Sequence, residues 1–238
     1  MLGTPSRADP VIRSLIRKRW LERIAAGRYL LIPADRGPEG IPDSNLLGLV
    51  KHLAESYYLG YATAAAHYRF TTQARSTLWI VTPRHVADRT VRGVLFRFVN
   101  VVPRKFFGCA SVRVLGREIV MSDREKTVLD CVDKIDNAGG IAEVARIISR
   151  ATPKIEWPRF CDYARRLGSV AAVQRFGYLA DRVSTQMTRE ARAGLQAQIK
   201  KHSRSYLGPT ARWGKQATYD AEWRILVNVP QRGITAEV

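Results

Sequence analysis

Three β-prone runs stand together in the middle of the chain, at residues 76–82, 91–102 and 110–121, and a helical pattern follows them almost to residue 183. Pro83 and Pro103 separate the runs, as prolines do where a strand has to stop donating to a ladder. Ahead of them, Leu46, Leu49, Val50 and Leu53 share one face of a helix running from 43 or 44 to about 55. A short β-prone stretch at 57–61 and a small-residue helix at 62–68 come next. Beyond 122, Val128, Leu129 and Val132 mark one helix, and Ile141, Val144, Ile147 and Ile148 mark another after the Gly139-Gly140 break. Residues 157–183 read as helical too, with Gly168 and Gly177 as breaks. A last apolar run at 223–230 returns as a strand. This order predicts an α+β protein: a large mixed α/β body with a helical C-terminal part.

Ser122-Asp123-Arg124-Glu125 has the form of a capping box, with Ser122 at the cap and Glu125 three residues on. The N-terminal stretch carries its own signal. Ile12, Leu15 and Ile16 share one helical face, while Arg13 and Arg17, four residues apart, project from the other side. Two short β-prone runs then flank Ala26-Gly27, which predicts a hairpin with Gly27 at positive φ. A basic helix feeding a hairpin with Arg28 at its tip is the second half of a winged helix-turn-helix. The expected division is a partial winged helix at 1–36, a Pro- and Gly-rich linker at 37–43, and the body at 44–238.

Charge bounds the partners. Lys plus Arg is 39 against 21 for Asp plus Glu, a formal +18 and a pI near 10.4. Such a surface attracts polyanions, and nucleic acid is the leading one because bound phosphates release counterions. In a winged helix the base-facing set would be Ser6, Arg7, Arg13, Ser14 and Arg17, with Arg23 and Arg28 on the wing. Arginine reads guanine bidentately or holds phosphate; a solvated basic helix packed on a hairpin is the plainer alternative. A further basic surface is expected from Arg92, Arg97, Arg104, Lys105 and Arg113, since Asp88 alone opposes the basic residues of 84–117. A solvated sheet face is the alternative there.

Catalytic motifs are weak. Gly168-Ser169 could open a nucleotidyltransferase motif, but no Asp-x-Asp follows, and a helix break accounts for it. Glu222-Trp223-Arg224 resembles the Glu-x-Lys of metal-dependent nucleases only with Arg in the place of Lys. No Walker loop, dinucleotide fingerprint or His-Glu-x-x-His occurs, and His52, His67, His85 and His202 lack metal-ligand spacing. Cys109, Cys131 and Cys161 are too widely spaced for a zinc site and are odd in number. No run approaches the roughly 20 apolar residues of a membrane span, and the N-terminus lacks a signal-peptide core. A cytoplasmic protein without enzymatic activity, cofactor, metal or membrane partner is expected. A metal-dependent nuclease, or a basic module without sequence specificity, remains the alternative.

The segment Arg19-Trp20-Leu21-Glu22-Arg23-Ile24-Ala25-Ala26-Gly27-Arg28-Tyr29 resembles the wing of the AbiEi-like antitoxins of type IV abortive-infection systems. Four further stretches resemble that family in the same order. They are Tyr58-Leu59-Gly60-Tyr61 with Ala64-Ala65, Trp79-Ile80-Val81-Thr82, the stretch from Ser122 to Asp130, and the one from Trp223 to Pro230. The resemblance implies a transcriptional repressor that binds inverted repeats of double-stranded DNA in its own promoter, as a homodimer on that DNA. It also implies a larger domain that counters a nucleotidyltransferase-like toxin, with which it need not form a stable complex, in phage defence. The Ser122–Asp130 stretch would then be structural, with Ser122 capping and Thr127 and Asp130 tying the turn. A full winged helix has two helices before the recognition helix, roughly 30 residues; ten residues precede Val11 here, so a partial unit is expected.

Overall fold

The computed structural model describes residues 8–31, 43–72, 76–114 and 116–235. The chain opens with helix α1 (Ala8–Arg17), strands β1 (Leu21–Ala25) and β2 (Arg28–Leu31), and helix α2 (Asp43–Leu49), which a 3-10 turn (Val50–His52) extends. Then come β3 (Tyr58–Leu59), α3 (Tyr61–His67), β4 (Thr77–Thr82), β5 (Arg89–Val91), β6 (Val94–Asn100), β7 (Cys109–Val114) and β8 (Arg117–Ser122). The helical part comprises α4 (Arg124–Asp133), α5 (Ile135–Ala138), α6 (Ile141–Ala151), α7 (Trp157–Leu167), α8 (Val170–Arg182) and α9 (Arg189–Gln196). The chain closes with β9 (Ser205–Tyr206), α10 (Thr210–Trp213), β10 (Thr218–Asp220), β11 (Ile225–Val227) and α11 (Arg232–Thr235). The expected α+β class holds. No helix among the described residues is long and apolar enough to cross a membrane.

The central sheet has the order β5-β6-β4-β3-β8-β7, with β4∥β6 and β3∥β8 parallel and its other neighbours antiparallel. Strand alternation sends Leu59, Ile80, Phe96, Ile119 and Met121 to one face, where Leu46, Leu49 and Val50 of the α2 segment cover them. Tyr58 and Val81 face the other way, with Tyr61. Two turns were not legible in the runs at 91–102 and 110–121. Arg92 (φ 53°) and Gly93 (φ 75°) fold the first into the β5–β6 hairpin, and Gly116 (φ 79°) lies in the turn that splits the second. Positive φ at both central residues matches the right-handed strand twist of a two-residue hairpin.

Helix α4 is the axis of the molecule. All residues from Glu125 to Val132 are buried, because α3, α6, α7 and α8 all pack on it. Its cap is Asp123, whose carboxylate accepts the Lys126 N–H at 2.8 Å, and not Ser122. Ser122 still belongs to β8, and its hydroxyl lies 2.7 Å from that of Thr127. Glu125 does not reach back to the cap; it accepts the Glu156 N–H at 2.7 Å. Gly139, Gly140 and Gly168 break the helices at positive φ as expected. Gly177 breaks nothing: it sits inside α8, beneath the Trp223 ring. The segment 212–218 begins with the end of α10 and closes on the start of β10. The C-terminal run returns as expected, but as the middle of a separate sheet of order β10-β11-β9 laid on α8.

Candidate nucleic-acid interface

Helix α1 ends because Arg19 takes the left-handed conformation (φ 60°). The Arg19 N–H then reaches the Ile16 carbonyl at 3.0 Å, and the Trp20 N–H reaches that of Leu15 at 2.9 Å. This is the Schellman arrangement, with arginine where glycine is the usual residue. It drives Trp20 inward and starts β1 at once. The hairpin pairs Leu21 with Leu31 and Arg23 with Tyr29, with an irregularity between Arg23 and Ala25, and Gly27 (φ 66°) makes the turn.

The hairpin is pinned to the body at three points. Ile24 is buried against the face that holds Leu46 and Val50, and its carbonyl accepts Arg89 Nη1 at 2.6 Å. Glu22 pairs with Arg92 at 3.7 Å and also accepts the Arg92 N–H at 3.3 Å. The Arg28 guanidinium donates to the His52 carbonyl. These contacts hold the hairpin, and α1 packs on its first strand.

Of the residues expected to face DNA, Arg13, Arg17, Arg23 and Arg28 are exposed and Ser14 is half-buried. Arg13 and Arg17 lie about 6 Å apart along the helix, given a rise of roughly 1.5 Å per residue, on the side opposite Leu15. The Arg13 Nε contacts the Asp9 carbonyl at 3.3 Å. Ser6 and Arg7 lie outside the described residues. Between residues 8 and 31 there are six Lys and Arg against Asp9 and Glu22, and Glu22 is engaged by Arg92. Arg19, exposed beside Arg17, is a basic residue that sequence reasoning left out of the set. Its only signal was its place one residue before Trp20, since a helix end is expected at glycine.

The second basic group does not gather. Arg92 follows β5 and Arg113 lies in β7, at opposite edges of the six-stranded sheet, about 24 Å apart at the usual strand spacing. Arg97 pairs with Asp88 at 3.1 Å and lies 5.7 Å from the centre of the Trp79 ring. Lys105 is half-buried on Asp133 at 2.8 Å, and Ser169 holds the same carboxylate at 2.5 Å. Burial pushes the Asp133 carboxyl up, but the Lys105 and Ser169 hydrogen bonds outweigh it and hold it below the usual range. Arg104 lies against Gly168 at the end of α7, and Arg113 faces Glu118 across the β7–β8 pair.

The protein is similar in fold to a protein of known structure. That structure is the crystal structure of the RV2827C protein from Mycobacterium tuberculosis, with a TM-score of 0.66 over 92% of this chain and 79% of that one. The sequences are 18% identical, so the likeness is one of fold alone. No protein-family model matches the chain, and no curated protein matches it.

The weak catalytic candidates have structural partners. Ser169 caps α8 by accepting the Ala172 N–H at 3.3 Å, and Glu222 is paired with Arg192. Trp223 is buried and donates its indole N–H to Asp181 at 2.7 Å, and Arg224 donates to the Ile199 carbonyl at 3.0 Å. Among the described residues no three His, Cys, Asp or Glu side chains group as metal ligands.

Arg19 carries a stability prediction. A non-glycine residue in the left-handed region costs about 1–2 kcal/mol, so Arg19→Gly is expected to raise unfolding stability by about 1 kcal/mol in urea titration. An unchanged midpoint would show that the Arg19 side chain contributes stabilising contacts of the same size.

Proposed function

We propose that the protein is a DNA-binding transcriptional repressor and the antitoxin of a type IV abortive-infection pair, one that represses its own operon and counters a nucleotidyltransferase-like toxin. The observation that carries the DNA-binding reading is the exposed pair Arg13 and Arg17 on α1, beside a hairpin held rigidly on the body. A helix of ten residues is about 15 Å long, and the major groove of B-DNA, about 12 Å wide, admits it. In this reading Arg13 reaches a base edge and Arg17 and Arg19 the flanking phosphates, while Arg23 and Arg28 add charge on the wing. Two protomers on an inverted repeat place two such helices one helical turn apart. The antitoxin part of the reading rests on the five sequence stretches that follow the AbiEi-like order.

A titration on the DNA upstream of its own gene, against scrambled DNA at two salt concentrations, tests the first part. A preference of at least a hundredfold that survives the higher salt is expected, because base contacts do not depend on counterion release. A steep salt dependence without preference would overturn the repressor in favour of a basic module. Arg13→Ala is expected to cost about 1–3 kcal/mol on the operator and little on random DNA. Arg28→Ala should weaken both alike, since in this reading Arg28 contributes phosphate attraction on the wing and no base contact. Equal losses for Arg13→Ala would remove its base-reading role. The antitoxin part predicts that expressing the neighbouring gene arrests growth and that co-expressing this chain restores it.

A further inference from the structure

The C-terminal sheet and the end of α8 enclose an open cleft of about 730 Å³, within the size range of small-ligand sites. Tyr178, Arg182, Trp213, Gln216, Thr218 and Tyr219 are among the residues that line it. Each of the three aromatic rings carries a guanidinium: Arg182 lies 5.0 Å from the centre of Tyr178, Arg212 lies 5.2 Å from Trp213, and Arg204 lies 4.6 Å from Tyr219. Tyr178 is buried and Trp213 half-buried, whereas Tyr219, at 43%, is the one aromatic among the strongly exposed large apolar side chains of the described residues. Tyr219 pairs with Leu226, so its ring lies on the outer face of β10, away from Thr218 and Asp220, under Arg204 at the free edge of the sheet where that edge borders the cleft.

Charge selects the occupant. Between residues 197 and 235 there are seven Lys and Arg against two acidic residues. Glu222 is paired with Arg192, while Asp220, which lines the cleft and accepts the Trp223 N–H at 2.9 Å, keeps its charge. The cations still outnumber the acids by seven to two, so the field beside the rings favours an external anion. A flat exposed ring under a guanidinium, with further cations around it, is the chemistry that stacks a nucleobase and holds its phosphate. A duplex keeps its base faces stacked on one another, so rings of this kind select unpaired strands. We infer that this cleft and the β10 edge beside it bind a single-stranded nucleic acid, with Tyr219 stacking a base under Arg204 on the outer face, Trp213 stacking another, and Arg182 and Arg212 holding the strand. The site shares no residue with α1 or the β1–β2 hairpin and does not rest on the proposed repressor function.

Fluorescence anisotropy of the full chain with labelled 12-mers of uridine or deoxythymidine, at about 200 mM salt to suppress simple phosphate attraction, tests it. Tyr219→Ala is expected to weaken 12-mer binding at least tenfold while leaving the melting temperature and the affinity for duplex operator unchanged. Tyr219→Phe, which keeps the stacking face, should retain binding. Arg13→Ala should leave the 12-mer affinity unchanged, so failure here and failure of the repressor reading are distinguishable. Undetectable binding of both 12-mers, or equal affinity for wild type and Tyr219→Ala, would overturn the inference. So would displacement of the bound 12-mer by a poly-glutamate peptide at equal charge concentration, which would make the cleft a site for acidic protein.

Discussion

Lys126→Met is expected to lower the stability of the folded protein by about 3–5 kcal/mol. Lys126 and Asp130 sit one turn apart on α4, their side chains 1% and 6% exposed, and form an ion pair inside the core. Tyr58, 68 residues away from Lys126 in sequence, closes the network: its hydroxyl donates to Asp130 at 3.0 Å and accepts from Lys126 at 2.9 Å. The Lys126 ammonium also lies 4.9 Å from the centre of the Phe107 ring. Removing the cation leaves a carboxylate with no water and one hydroxyl. Burial already pushes the Asp130 carboxyl above its usual range, outweighing the pull of Lys126. Without Lys126 that shift grows, so the variant gains stability as pH falls and Asp130 takes up a proton. Its stability is fullest below the unfolded carboxylate range and is lost as pH rises through the raised folded value. Denaturant titrations of wild type and variant at several pH values read both effects. A pair of apolar residues, Lys126→Met with Asp130→Leu, should recover most of the loss, because it removes both desolvated charges together. A double variant as unstable as the single one would show that packing, not charge, sets the cost.

Gly177→Ala is expected to cost about 3 kcal/mol, at the upper end of what overpacking produces. Helix propensity alone predicts the opposite sign, since alanine is better than glycine in a helix by about 1 kcal/mol. A Cβ at 177 would stand 2.1–2.3 Å from three atoms of the Trp223 ring. The ring cannot step aside, because its N–H is tied to Asp181 at 2.7 Å and its backbone N–H to Asp220 at 2.9 Å. The β11 strand would have to lift from α8. Thermal and urea unfolding should both show the loss, and a shorter side chain in Trp223→Leu should make the pair of substitutions less costly than their sum. A Gly177→Ala protein as stable as wild type would mean that the C-terminal sheet shifts freely on α8.

The sequence by itself determined what is local. The α1 face with Ile12 and Leu15, the hairpin turn at Gly27, the strand at 76–82 and the helix breaks at Gly139, Gly140 and Gly168 all follow from periodicity or from backbone conformations that a few neighbouring residues impose. The basic character of the N-terminal unit was legible for the same reason, since Arg13 and Arg17 share a face whatever the helix packs against. Tertiary structure alone decided the rest. Gly177 looked like a helix break until Trp223, 46 positions on, came to lie over it. In sequence Asp130 was expected only to tie a turn with Thr127, yet the helices packed around α4 bury it in an ion pair with Lys126. Arg92, Lys105 and Arg113 form one basic run in sequence, but a strand order that puts β5 and β7 at opposite edges sends them apart. The cleft at Tyr219 exists only because β9, β10 and β11 pair across the chain's last 34 residues. Local geometry is set by short-range sterics, and it survives any choice of fold. Burial, ion pairing and clefts depend on which distant segments meet, and that is fixed only when the whole core closes.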